Sequence, residues 1–238
     1  MTQRKPAPKA KPAAKKTAAA PRRKRRKASA ARPSAQRAVR PTLVYLVFVA
    51  IGLGTWGLAQ DTRVLALWSV LLLGSLILGA GRGSLRVGYS LPELARGVIF
   101  GLVLGLPIAL LAPAALAVTA ERLFSGARPE ALLLRLVLVA PVVEGVYFRG
   151  FLQPAVGLGI AALLYGLAGL VLFFPPALGF PAVLVTIAAV LTVFGLIYGV
   201  IAERYSVAAS IACQAAVALC LWILPKLSMV SSQLSMNN

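Results

Sequence analysis

From Pro41 onward the sequence is a series of apolar runs, each close to or above the roughly 17–25 residues that a helix needs to cross a bilayer. Seven can be delimited, at residues 41–59, 64–80, 98–120, 131–154, 157–174, 182–202 and 206–224. No water-soluble fold hides so much apolar surface on so few polar residues. In the bilayer core every backbone polar group needs an internal partner, and runs of this length satisfy that as helices. The pattern predicts an all-α, polytopic transmembrane helix bundle of about seven to eight spans. The eighth would arise if Pro141, Gly145 or Gly150 broke the fourth run into half-helices.

Charge is segregated. Of 25 Lys and Arg, 15 lie in residues 1–40, where there is no acid, so the formal net charge of +19 belongs mostly to a tail. Residues 1–40 contain almost nothing that could be buried, and they read as a disordered Lys/Arg/Ala/Pro-rich cytoplasmic tail. Residues 41–228 read as the bundle. The tail's expected partners are the lipid bilayer and its anionic headgroups. Without interleaved aromatic residues or a folded reader, nucleic acid is not an expected partner. The basic loop with Arg82, Arg86 and Arg96 returns to the tail's side after two crossings, so both basic clusters agree on one topology.

Residues that are missing exclude several chemistries. The chain has no His, a single Asp (Asp61) and two Cys, Cys213 and Cys220. Without His there is no Ser-His or Cys-His dyad and no His-Glu-x-x-His zinc site, and no metal or other cofactor is expected. One aspartate cannot form an aspartyl pair. The cysteines are seven residues apart on one apolar run, about 10.5 Å by helical rise, too far for a disulfide. They read as buried structural thiols. Gly101-x-x-x-Gly105 in the third run is a small-residue face suited to close helix packing rather than evidence of a dimer.

The stretch Pro141-Val-Val-Glu-Gly-Val-Tyr-Phe-Arg-Gly-Phe-Leu-Gln-Pro154 departs from its surroundings, because Glu144 and Arg149 stand inside an apolar run. A charge at the bilayer centre costs about 2.5–3.5 kcal/mol on insertion scales, so both must face other helices or a watered cavity. On a regular helix, five residues turn through about 140°, so the two do not form an i,i+4 pair. Arg149 is placed to snorkel toward headgroups. For Glu144, the candidate partners are Tyr165, Tyr198 and Gln214, the polar groups of the following runs. The pair reads either as structural glue or as part of a site, and a proton or ligand path through a transporter-like bundle is a further reading.

Val143-Glu144-Gly145-Val-Tyr-Phe148-Arg149 resembles the Glu-Glu-x-x-x-Arg signature of the CAAX-protease and bacteriocin-processing (CPBP) family of intramembrane endopeptidases. Leu164-Tyr165-Gly-Leu-Ala-Gly169 is similar to its Phe-x-x-x-His segment, and Phe194 to Ser206 to the Gly-rich helix and turn before its His-x-x-x-Asn/Asp motif. The resemblance covers residues 131–224. It implies a water-activating glutamate at Glu144 and a structural arginine of the motif at Arg149. It also implies that Gly145 stands for the second glutamate, Gly169 and Gln214 for the two histidines, and Ala218 for the Asn/Asp. With Tyr165 and Tyr198, these positions make up the candidate pocket.

The expectation is a CAAX-protease-like integral membrane protein, a catalytically impaired homologue that acts as a scaffold or binder of membrane peptides or proteins. The alternative is an active CAAX-type endopeptidase using Glu144. The expected location is the cell membrane with the N-terminus cytoplasmic. Seven spans would then put residues 231–238 on the opposite side, which reporter fusions at both termini check; two ends on one side would mean an even count.

Overall fold

The computed structural model describes residues 35–80, 90–123, 129–177 and 181–225. The basic stretch before residue 35, the loop carrying Arg82 and Arg86, and the C-terminal end after residue 225 lie outside the described residues. The described residues form eight helices and no strand. These are α1 (Ala35–Gly54), α2 (Gln60–Ala80), α3 (Leu91–Leu111), α4 (Pro113–Leu123), α5 (residues 129–156), α6 (Leu158–Ala177), α7 (Pro181–Arg204) and α8 (Val207–Ile223). Four helices are long and apolar enough to cross a membrane, Gln60–Ala80, Leu91–Leu111, Glu130–Val156 and Ala182–Arg204, and three shorter apolar helices accompany them. Large side chains such as Ile77, Leu110 and Val185 are exposed on the outside of the bundle. In water so much open apolar surface would aggregate, and in a bilayer it is the ordinary lipid face. The protein is integral to the membrane.

Several boundaries differ from the sequence expectation. The third run begins earlier, at Leu91, because Ser90 caps the helix: its hydroxyl accepts from the Glu93 backbone N–H at 3.4 Å, with Pro92 in the first turn. Ser90-Leu-Pro-Glu93 has the spacing of a helix start, so Arg96 lies within a helix rather than in a loop. The same run stops at Leu111, and a separate helix starts at Pro113. The fourth run is not broken at Pro141. It is one helix with two π-helical stretches, Leu133–Val139 and Gly145–Leu152, so no half-helix pair forms. It ends at Gly157, whose φ of 88° suits a residue without Cβ.

Glycine sets two helix contacts. On α3, Gly97, Gly101 and Gly105 all face α8: a Cβ at Gly97 would overlap the Ala209 carbonyl oxygen, one at Gly101 would lie 2.6 Å from the Ala216 Cβ, and one at Gly105 2.8 Å from the Cys220 Cβ. The Gly101/Gly105 pair is thus a packing surface within the chain. Cys213 and Cys220 on that interface are buried free thiols. Between α6 and α7, Gly166 lies against Ala188 and Thr192, and Gly195 against Ala162 and Tyr165.

Arg63, which falls in the short polar stretch 60–63 between the first two apolar runs and so reads as a turn residue, lies instead in the first turn of α2 with 0% of its surface exposed. Its guanidinium donates to the Gly52 carbonyl from Nε (3.2 Å) and Nη2 (2.9 Å), to the Leu172 carbonyl from Nη1 (3.0 Å), and to the Val171 carbonyl. These carbonyls need outside donors. Gly52 is in the last turn of α1, while the residues four beyond Val171 and Leu172 are Pro175 and Pro176, which carry no N–H. One buried cation therefore ties α1, α2 and α6 together. Gln60 adds a bond from Nε2 to the Leu172 carbonyl at 2.8 Å.

Substituting Gly101 by Val should lower stability by about 1–3 kcal/mol through overpacking. Gly159→Ala, where nothing lies within 4 Å of the new Cβ, should be neutral or stabilising by up to about 1 kcal/mol. Thermal unfolding of the two variants in mild detergent checks the contrast.

Candidate functional site

The site is built on α5. In the Gly145–Leu152 stretch the hydrogen bonds span five residues, as the Gln153 N–H shows by donating to the Phe148 carbonyl. Five residues then make about one turn, so Glu144 and Arg149 come to the same side of the helix instead of diverging by the angle of a regular one. Both meet Tyr165 of α6. π-helical turns of this kind are uncommon and concentrate where side chains must be re-aimed.

Glu144 is buried, 7% exposed. Its Oε1 accepts from Trp68 Nε1 at 3.3 Å; its Oε2 accepts from the Tyr165 hydroxyl at 3.0 Å and from Gln214 Nε2 at 2.7 Å. Gln214 Nε2 also donates to the Tyr165 hydroxyl oxygen at 3.1 Å. The carboxylate thus joins α5 to α2, α6 and α8. Hydrogen bonds to a charged group in low dielectric are the strong ones, and the group is costly if any is lost.

Arg149 does not snorkel. It is 4% exposed, with Cζ 4.4 Å from the centre of the Tyr165 ring and 5.1 Å from that of Tyr198. The Tyr198 ring stands edge-on to that of Tyr165 at 6.5 Å and stacks on Phe194 at 5.7 Å. Tyr198 therefore reaches the site through Arg149 and not through a bond to Glu144. Arg135, which sequence spacing puts on the far face, pairs with Asp61.

The other positions are closed by packing. A Cβ at Gly145 would overlap Ile211 Cγ1 and lie 3.1 Å from its Cδ1, leaving no room for a second carboxylate beside Glu144. At Gly169, one turn beyond Tyr165, a Cβ would overlap Leu191 Cδ1 and approach Ile187. Ala218 is half-buried one turn beyond Gln214, at the end of the α-helical part of α8. Among the described residues no three His, Cys, Asp or Glu side chains gather to hold a metal ion.

Two participants escaped the sequence reading. Trp68 groups with the apolar residues of its run, yet an indole N–H inside a membrane run needs an acceptor. Ile211 fills the Gly145 position by a tertiary contact with no local signature.

A protein-family model described as type II CAAX prenyl endopeptidase Rce1-like matches residues 127–220. The matched stretch takes in α5, α6, α7 and most of α8, and with them Glu144, Arg149, Tyr165 and Gln214. No curated protein and no solved structure matches the chain significantly.

Because Tyr165 and Gln214 serve one carboxylate and each other, their losses should not add. Tyr165→Phe and Gln214→Leu are each expected to destabilise by about 1–3 kcal/mol, with a coupling of about 0.5–3 kcal/mol in the double variant. A double-mutant cycle on thermal or denaturant unfolding measures it; strict additivity would refute a shared network.

Proposed function

We propose that this integral membrane protein, whose residues 127–220 form an Rce1-like domain, is a catalytically impaired homologue that binds or organises membrane-embedded peptides or proteins. Its N-terminus is taken to face the cytoplasm, in the cell membrane, with the basic tail near anionic headgroups.

The observation that carries this reading is the occupation of Glu144. Peptide hydrolysis needs a base to activate water, donors aimed at the developing oxyanion, and an acid for the leaving amine. Here both carboxylate oxygens accept bonds from Trp68, Tyr165 and Gln214. Gly145 is packed against Ile211, Gly169 against Leu191, and the chain has no histidine. A positioned acid or base contributes about 10²–10⁴-fold, and one oxyanion donor about 10²–10³-fold. Losing both classes removes most of the rate. What persists is a polar cluster inside an apolar bundle, lined by tyrosines and an arginine, which suits recognition better than turnover.

Purified protein in lipid, incubated with prenylated CAAX peptides and a library of membrane-embedded peptides, should show no cleavage above that of Glu144→Gln. Cleavage by the native chain that Glu144→Gln abolishes would establish an active, histidine-free glutamate endopeptidase instead.

A further inference from the structure

We propose that Arg149 is the anchor of a binding site for the carboxylate of a membrane-dwelling amphiphile. The Arg149 side chain is 4% exposed, and neither Nη1 nor Nη2 meets a hydrogen-bond acceptor among the described residues. A buried guanidinium with both terminal nitrogens unpaired is costly. Its acidic neighbour lies within electrostatic reach but makes no direct ion pair with it. Glu144 takes its hydrogen bonds from Trp68, Tyr165 and Gln214, and no ion pair forms between Glu144 and Arg149. The position four residues before Arg149, from which an acid would pair with it along a regular helix, is Gly145, packed against Ile211.

Aromatic rings flank the guanidinium. The Tyr165 and Tyr198 rings lie with their centres 4.4 and 5.1 Å from its Cζ. On α8, which packs against this part of α5, Ser210 is buried one turn before Gln214, and its hydroxyl has no partner among the described residues.

The ligand's chemistry follows from these groups. A planar fork fits a carboxylate through two parallel bonds. Glu144 lies close by, and an acidic side chain beside the fork suits a singly charged carboxylate better than a phosphate dianion. An apolar tail follows from depth. Gln153, one turn after Arg149, donates to the Gly199 carbonyl at 3.1 Å and to Glu203 Oε1 at 2.9 Å, and Glu203 is exposed. Arg149 is therefore about 6 Å along the helix from Gln153 and about 10 Å from the end of α5 at Val156 by helical rise, a depth at which a bound head group has its chain in the hydrocarbon.

This site does not depend on whether Glu144 is catalytic, so carboxylate binding and peptide cleavage are separate readouts. The full chain in phosphatidylcholine nanodiscs is titrated with dodecanoate or dodecanol, and with N-dodecanoyl-trileucine as its free acid or its amide, following Tm. At saturating probe, a rise of roughly 2–4 °C is expected for the carboxylates and none for the alcohol or the amide. A response to only one of the two carboxylates supports the site and identifies its source as fatty acid or peptide terminus. Arg149→Lys, which keeps the charge without the fork, should weaken apparent affinity at least tenfold, and Arg149→Gln should abolish the shift. Equal shifts for dodecanoate and dodecanol on the native chain would overturn the proposal without any variant. A carboxylate-selective shift that persists in Arg149→Gln would overturn it as well.

Discussion

The bundle depends on one carboxylate. Glu144 accepts from Trp68 on α2, Tyr165 on α6 and Gln214 on α8, so a single side chain on α5 fixes the three helices around it. Helices in lipid have little hydrophobic drive to associate, and small-residue packing and interhelical hydrogen bonds take its place. Both are present here. The glycine face of α3 brings backbone against the backbone of α8, and the Glu144 cluster sets where α8 stands relative to α5.

The π-helical turn after Glu144 is what makes the cluster and Arg149 neighbours. With regular turns, the arginine would leave the tyrosines and face another way. The added residue per turn brings anion and cation to one ring, Tyr165, whose hydroxyl serves Glu144 and whose face serves Arg149. An acidic and a basic residue thus share a side chain without a direct ion pair. The same α5 stretch is closed on another side by Ile211 at Gly145. The polar side chains around Glu144 and the apolar packing at Gly145 thus act on one short stretch of α5 from different sides.

Much of the helical architecture was legible in the sequence, because apolar runs of spanning length admit few alternatives. Tyr165 and Gln214 were legible as partners of Glu144 for the same reason, since a polar side chain in an apolar run must find another. What could not be read was geometry that depends on contacts between runs. The π-helical turns carry no composition signal, and Pro141 looked like a break because the helices packed around α5 could not be seen. The start of α3 is written in Ser90-Leu-Pro-Glu93, a partly polar signal that lies ahead of the apolar run. Arg63 looked like a turn residue, although Pro175 and Pro176 already implied two carbonyls in need of donors.

Arg63 also imposes an order on biogenesis. The chain is made from its N-terminus, and when α1 and α2 first enter the bilayer only the Gly52 carbonyl is present to receive the guanidinium. Its other acceptors, Val171 and Leu172, are synthesised 108 and 109 residues later. Until α6 arrives, the cation has to stay at the interface, in contact with water. The α1–α2 hairpin therefore enters the membrane unfinished, and its last turn locks only when the second half of the protein has been inserted.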